Sequence, residues 1–138
     1  MPRYDAHHEI VKRALERDGW TITKDPLIIE YEDLRLFADL GAEKTFAAEK
    51  AGRKIAVEIK VFGAVSFIDE FHKAAGQYGN YRALLRRVEP DRVIFLAVPL
   101  DVYETEFLRA SIRDLVADLQ IKLVVYDRLK EEIVLWSN

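Results

Sequence analysis

An α/β domain, with a mixed central sheet flanked by helices in the order α-β-β-β-α-β-α-β-β, is what this sequence predicts. Three observations carry the expectation. Apolar residues recur at helical spacing in three separate segments. Two alternating runs on either side of Ala51-Gly52 have the period of a half-buried hairpin. The run "RVIFLAVP" is continuously apolar over the length of a strand buried on both faces.

The first helical segment is "DAHHEIVKRALERDG", with Asp5 as its cap, an apolar stripe of Ala6, Ile10, Ala14 and a flanking Val11 or Leu15, and Gly19 at its stop. "WTIT" and "LIIEY" read as short extended pieces, with Asp25-Pro26 between them as a turn. "LRLFADLGA" then leads into "TFAAEKAGRKIAVEIK", and together these predict a small, mostly antiparallel, three-stranded unit turned at Ala51-Gly52. At Ser66 the period changes. Ser66 followed by Asp69 resembles a capping box, and Phe67, Phe71, Ala74, Tyr78, Tyr81 and Leu85 form the apolar stripe of a long helix. The strand "RVIFLAVP" follows, then a helix near residues 104 to 119 with Leu108, Ile112, Leu115 and Leu119, and two strands, "IKLVVYD" and "EEIVLW".

Composition narrows the functional classes. The 138 residues are 50% hydrophobic, enough for one compact domain spanning 1–138, and no repeat or Gly/Ser/Pro-rich linker divides them. The 21 Lys+Arg and 24 Asp+Glu give a net charge of −3, so any nucleic-acid contact must come from a local patch. There is no cysteine, which excludes a thiolate zinc site and a disulfide framework and fits a reducing compartment. The start "MPRYDAHHEI" lacks the apolar core of a secretory signal, and no apolar run nears the roughly 20 residues that span a bilayer. The expectation is a cytoplasmic protein without a membrane partner.

The chemistry concentrates in "KIAVEIK". In an extended chain Ile55, Val57 and Ile59 point one way, while Lys54, Ala56, Glu58 and Lys60 point the other. A charged pair two apart on a strand is ordinarily a solvated face. A second carboxylate, Asp39 in "ADLGAEK", would turn it into an oxygen-rich site for Mg²⁺ or Mn²⁺, with the Ile59 carbonyl as a further ligand. Lys60 would then orient or deprotonate water and offset charge on a phosphate. His7 and His8 are adjacent on a helix, about 100° apart, and cannot chelate together. They read as helix-surface residues. Cations near the long helix's end (Arg82, Arg86, Arg87, Arg92) and at the hairpin (Lys50, Arg53, Lys54) are the candidates for phosphate contact, with Lys73 on the helix's polar stripe. Stabilisation of a helix C-terminus accounts well for Arg86 and Arg87 and is the favoured reading of those two.

An acid, then Glu-x-Lys on the next strand of a hairpin, then a helix, resembles the PD-(D/E)xK nuclease superfamily, and α-β-β-β-α-β resembles the core of its restriction-endonuclease-like fold. Ala38 stands here where the name-giving motif has proline. A closer resemblance runs through "HEIVKRALERDGW", "FADLGAEKTFAAEKAGRKIAVEIKVF", "FHKAAGQYGNYRALL", "FLAVPLDVYETEF" and "KLVVYDRLKEEIVLW". These look like the XisH family, the fdxN element excision controlling factors of cyanobacteria. The resemblance implies a DNA-acting factor in the excision of a DNA element, working with an XisI-like partner, and a separate recombinase makes the recombination breaks. It also implies roles for Glu9 and for Gln77, which some superfamily members bring to the metal site. Their plain readings are an exposed helix glutamate and part of the polar stripe with Lys73 and Asn80. Two functions stay open. One is a metal-dependent endonuclease using Asp39, Glu58, Lys60, Glu9 and Gln77; the other is a catalytically silent regulator that works through its partner. An exposed edge at "EEIVLW" is also suited to a second copy, giving a homodimer.

Overall fold

The structure, a computed structural model, describes residues 3–35, 45–63 and 65–137. Its elements run α1 (Arg3–Arg17), β1 (Thr21–Lys24), β2 (Glu30–Tyr31), β3 (Leu34–Arg35), β4 (Thr45–Lys50), β5 (Arg53–Ile59), α2 (Phe67–Val88), β6 (Arg92–Pro99), α3 (Ala110–Asp118), β7 (Leu123–Asp127) and β8 (Glu132–Trp136). Between β6 and α3 a single turn of helix, Leu100–Val102, runs into a π-helical turn, Tyr103–Phe107. Six strands form one sheet in the order β1-β4-β5-β6-β7-β8, and β2 and β3 make a separate ribbon.

The sheet is mixed, as the sequence predicts. Strands β1, β4 and β5 are antiparallel, β5, β6 and β7 are parallel, and β8 returns antiparallel to β7. Three antiparallel strands, β1, β4 and β5, lie at this edge, but the one beside the hairpin is Thr21–Lys24 and not "LRLFADLGA", the strand expected to precede it. The β4–β5 hairpin turns at Ala51 and Gly52, both with positive φ (51° and 81°), the pair of conformations that a two-residue turn needs to follow the strands' twist. Only the first two residues of "LRLFADLGA" belong to a described strand, and Asp39 lies outside the described residues.

Two cores lie on the two faces of the sheet. Val11 and Leu15 of α1 pack on Phe46, Ile55, Val57 and Ile59. Phe71, Ala74, Tyr78, Tyr81 and Leu85 of α2 pack with Ala56, Leu96, Val98 and Leu123 on the other, together with Ile112 of α3. The sequence places α2 well. Ser66 caps it, its hydroxyl accepting from the Asp69 N–H at 3.3 Å, and every predicted stripe residue except the half-buried Phe67 is buried.

Helix α1 departs from expectation. It starts at Arg3, so Asp5 lies inside it rather than capping it. Its buried stripe is His7, Val11, Ala14 and Leu15; Ala6 is exposed and Ile10 only half-buried. His7 is therefore a core residue, not a surface one. Its Nδ1 hydrogen-bonds the Tyr126 hydroxyl at 2.6 Å, a partner 119 residues away. Burial pushes the Tyr126 phenol far above its ordinary pKa.

His8 and Lys12 converge on Asp25. His8 Nε2 lies 2.8 Å from one carboxylate oxygen, and Lys12 Nζ donates to the other at 2.6 Å. Partial burial pushes the Asp25 pKa up, but the hydrogen bonds from Lys12 and His8 outweigh it and hold the carboxyl below its usual range. A carboxylate whose pKa is lowered by folding stabilises the fold above its unfolded pKa of about 4, and that contribution fades as pH falls through the folded value. Asp25→Asn is expected to lower stability at pH 7 by about 1 kcal/mol. The gap to wild type should close progressively below about pH 4. Urea unfolding from pH 7 to pH 2 measures it, and a gap that widens on acidification contradicts this account.

Candidate functional site

Glu58 occupies the penultimate position of β5, opposite Thr45 of β4 and Leu96 of β6. Ile55, Val57 and Ile59 belong to the α1-side core and Ala56 to the α2-side core, so alternation turns Glu58 toward α2. A carboxylate there is expensive to desolvate, and Glu58 is only 5% exposed. Its charge is felt at Tyr78 of α2. Burial raises the Tyr78 phenol's pKa, and the Glu58 carboxylate adds to that, against the Lys122 amide and the Arg82 guanidinium. Thr45, directly across the hairpin, is buried, and its hydroxyl has no hydrogen-bond partner among the described residues.

Lys60 follows the end of β5, its amide held by the Ala97 carbonyl at 3.1 Å. Its ammonium lies 4.0 Å from the Glu70 carboxylate, with the two side chains 19% and 16% exposed. Gln77 is half-buried two turns further along α2 than Glu70, a spacing that puts both on one side of the helix. Lys73 and Asn80, its expected companions on a polar stripe, are exposed. Glu58, Lys60, Glu70 and Gln77 thus share the layer between β5 and α2. Glu70 is a residue that sequence reading missed. As an acid in a first helical turn it reads as a complement to the helix dipole, and only the seven-residue spacing to Gln77 hinted at more.

Immediately beyond Lys60 the chain bends at Phe62, which takes φ 58°, a conformation costly for a bulky residue. Ring contacts hold it there, with Phe67 at 5.2 Å and Phe107 at 5.5 Å. A cavity of about 410 Å³ opens at this end of the sheet, walled by Val61, Phe62 and Gly63 from the bend, by Pro99 and Asp101, and by His7 and Arg128. In open α/β sheets the carboxyl ends of parallel strands are where ligands gather, and β5, β6 and β7 all end here.

The remaining site candidates distribute differently. Glu9 sits on α1, its side chain 57% exposed and 3.4 Å from Lys12, on the helix that covers the opposite face from Glu58. Lys50 bonds the Asp18 carbonyl, and both Lys50 and Arg53 stand over the Trp20 ring, at 5.8 and 5.5 Å. Lys54 is half-buried, opposite Glu49 in the hairpin. Arg82 donates to the Leu119 and Gln120 carbonyls at 3.0 and 2.8 Å. Arg87 bonds the Ala83 carbonyl and lies over Tyr31, while Arg86 is exposed. Arg92 is buried against Glu89 and the Ile55 carbonyl, so it is no phosphate-contact residue.

The donor set suits a hard divalent cation in part. Glu58 supplies carboxylate oxygen and Ile59 a neighbouring carbonyl, the ligand type Mg²⁺ and Mn²⁺ prefer. No group of three or more His, Cys, Asp or Glu able to hold a metal occurs among the described residues, and the second expected carboxylate, Asp39, lies outside them. No described helix is long and apolar enough to cross a membrane.

Comparison with known proteins gives concordant results. The XisH protein family matches residues 1–134. An XisH family protein from Nostoc punctiforme is 46% identical, with a TM-score of 0.89 over 96% of this chain and 99% of that one. A fdxN element excision controlling factor protein from Anabaena variabilis is 48% identical, with a TM-score of 0.90 over 97% and 99% of the two chains. No curated protein matches the sequence.

Proposed function

Because the chain belongs to the XisH family, we propose that it is a controlling factor for excision of a DNA element and acts on DNA through a metal-dependent phosphodiesterase site of PD-(D/E)xK type. The observation that carries this reading is the placement of Glu58 and Lys60. A carboxylate retained at 5% exposure, two residues before a lysine on the same face, where the parallel strands β5, β6 and β7 end, is costly for a fold to keep.

In this site Glu58, with Asp39 and the Ile59 carbonyl, would hold Mg²⁺ or Mn²⁺, which when bound supplies charge neutralisation at a phosphate. Lys60 donates to a phosphate oxygen or to the attacking water and offsets the negative charge that grows on the phosphoryl oxygens. Glu70 fixes where the ammonium stands. Gln77, from the same side of α2, orients water through its amide. Glu9 would need to reach around the edge of the sheet from the opposite layer to join them, and the present placement gives it Lys12 instead.

One observation favours the catalytically silent reading. The Lys60 ammonium faces Glu70, a cation already answered by a carboxylate. In that reading the fold is kept while an XisI-like partner carries the activity, and the edge strand β8, with Val134 45% exposed, is available for that partner or for a second copy. Calorimetric titration with Mg²⁺ and Mn²⁺ separates the two. Binding in wild type that disappears in Glu58→Ala is the expected result. Equal heats in both proteins, with plasmid and branched DNA left intact in the presence of the partner, would leave the regulator reading standing.

A further inference from the structure

Away from Glu58 a groove of about 700 Å³ opens between the end of α2, α3 and the start of β7. Arg82, Arg86, Arg113 and Lys122 line it, and no aspartate or glutamate does. In a chain of net charge −3 that is a pronounced local imbalance. Arg86, Arg113 and Lys122 make no ion pair and no side-chain hydrogen bond among the described residues, whereas Lys12, Arg13, Lys60, Arg92 and Arg109 all face carboxylates.

The groove is also organised. Arg82 is fixed at its floor by the carbonyls of Leu119 and Gln120, which end α3, and by the Tyr78 ring 5.3 Å away. Tyr103 lies half-exposed in its wall, stacked on the buried Phe107 with ring planes 13° apart and centroids at 6.5 Å. A half-exposed ring presented beside several unpaired cations is the arrangement that stacks a base while its phosphates are neutralised. A duplex, whose bases are already stacked, would use the cations but not the ring.

We infer that this groove binds a single-stranded nucleic-acid segment, its phosphates against Arg86, Arg113 and Lys122 and a base on Tyr103. The site needs neither metal nor Glu58, so it stands whether or not the protein cleaves.

The test is fluorescence anisotropy with a labelled single-stranded oligonucleotide in EDTA, over a range of salt concentrations. Arg86→Gln/Arg113→Gln is expected to weaken binding at least tenfold and to flatten the log–log salt dependence by about 1.4, two phosphate contacts at roughly 0.7 each. Tyr103→Ala should weaken binding without changing the salt slope, because stacking releases no counterions. Both changes are at exposed or half-exposed positions, and Lys24→Gln/Lys130→Gln, elsewhere on the surface, should bind as wild type does. Glu58→Ala should also bind as wild type, which separates failure of this groove from failure of the metal site. An unchanged slope in the arginine variant overturns the inference. So does duplex binding as tight as single-strand binding, or full competition by a mononucleotide at oligonucleotide concentrations.

Discussion

On the proposed phosphodiesterase reading, Lys60→Ala is expected to reduce cleavage of plasmid or branched DNA by about 10²- to 10⁴-fold, the range typical of removing a positioned proton-transfer or charge-stabilising group. Two independent constraints fix where the side chain stands. Its backbone is tied to β6 through the Ala97 carbonyl, and its ammonium is tied to α2 through Glu70. Phe62 bends the chain two residues later, so the lysine sits at a fixed corner rather than on a free strand end. Glu70→Gln should have a smaller effect of the same sign, because it removes the group that positions the ammonium and keeps the ammonium itself. Divalent-cation binding should survive in Lys60→Ala and vanish in Glu58→Ala, which distinguishes the two residues' roles. Thermal unfolding alongside guards against reading a folding defect as lost chemistry. Full cleavage by Lys60→Ala would remove this lysine from the mechanism, whatever cuts the DNA.

How much of this was legible in the sequence follows from the range of the interactions involved. The hairpin at Ala51-Gly52, the Ser66 cap and the strand from Arg92 to Pro99 are set by neighbours within a few residues, and local pattern places them correctly. The Glu58 and Lys60 alternation is local too, so their shared face was readable. His7 was misread because its partner lies on β7, at the other end of the chain. Arg92 was taken for a surface cation because nothing in its neighbourhood announces that a carbonyl of β5 will receive it. Helix α3 shows a different limit. Leu108, Ile112, Leu115 and Leu119 share the spacing of a buried stripe, yet only Ile112 is buried, and the three leucines are 37–48% exposed. Periodicity reports that a helix has an apolar side and says nothing about whether its own chain covers that side. The helix also begins at Ala110 rather than near 104, because the preceding residues wind as a π-turn over Phe107. The groove cations were half-seen. Arg82 and Arg86 stood out at the end of α2, while Arg113 and Lys122 join them only through the packing of α3 and β7.

Arg92→Ala should be among the most destabilising single changes outside the hydrophobic core, lowering stability by about 3 kcal/mol. The side chain is 3% exposed, and it spans three elements. Nη1 donates to the Ile55 carbonyl of β5 at 3.0 Å, while Nε and Nη2 donate to Glu89, the C-cap of α2, at 3.1 and 2.9 Å. Glu49 of β4 adds a carboxylate at 3.9 Å. Truncation withdraws a charge-assisted donor from a buried carbonyl and leaves a void at the start of β6. It also leaves Glu49 and Glu89 facing each other's charge with no cation between them. Arg92→Lys should recover only part of the loss, because one ammonium cannot hold the fork geometry that reaches both Glu89 and Ile55. Urea unfolding followed by circular dichroism measures both variants, and a loss under about 0.5 kcal/mol for Arg92→Ala, the size of an ordinary surface change, would contradict the structural role assigned to it. The same variant bears on nucleic-acid binding. Its guanidinium is sequestered in the fold, so oligonucleotide affinity should match wild type under conditions where the variant is fully folded, in contrast to the exposed arginines of the groove. Stability and oligonucleotide binding should therefore respond to different arginines, because burial, not sequence neighbourhood, decides what each one touches.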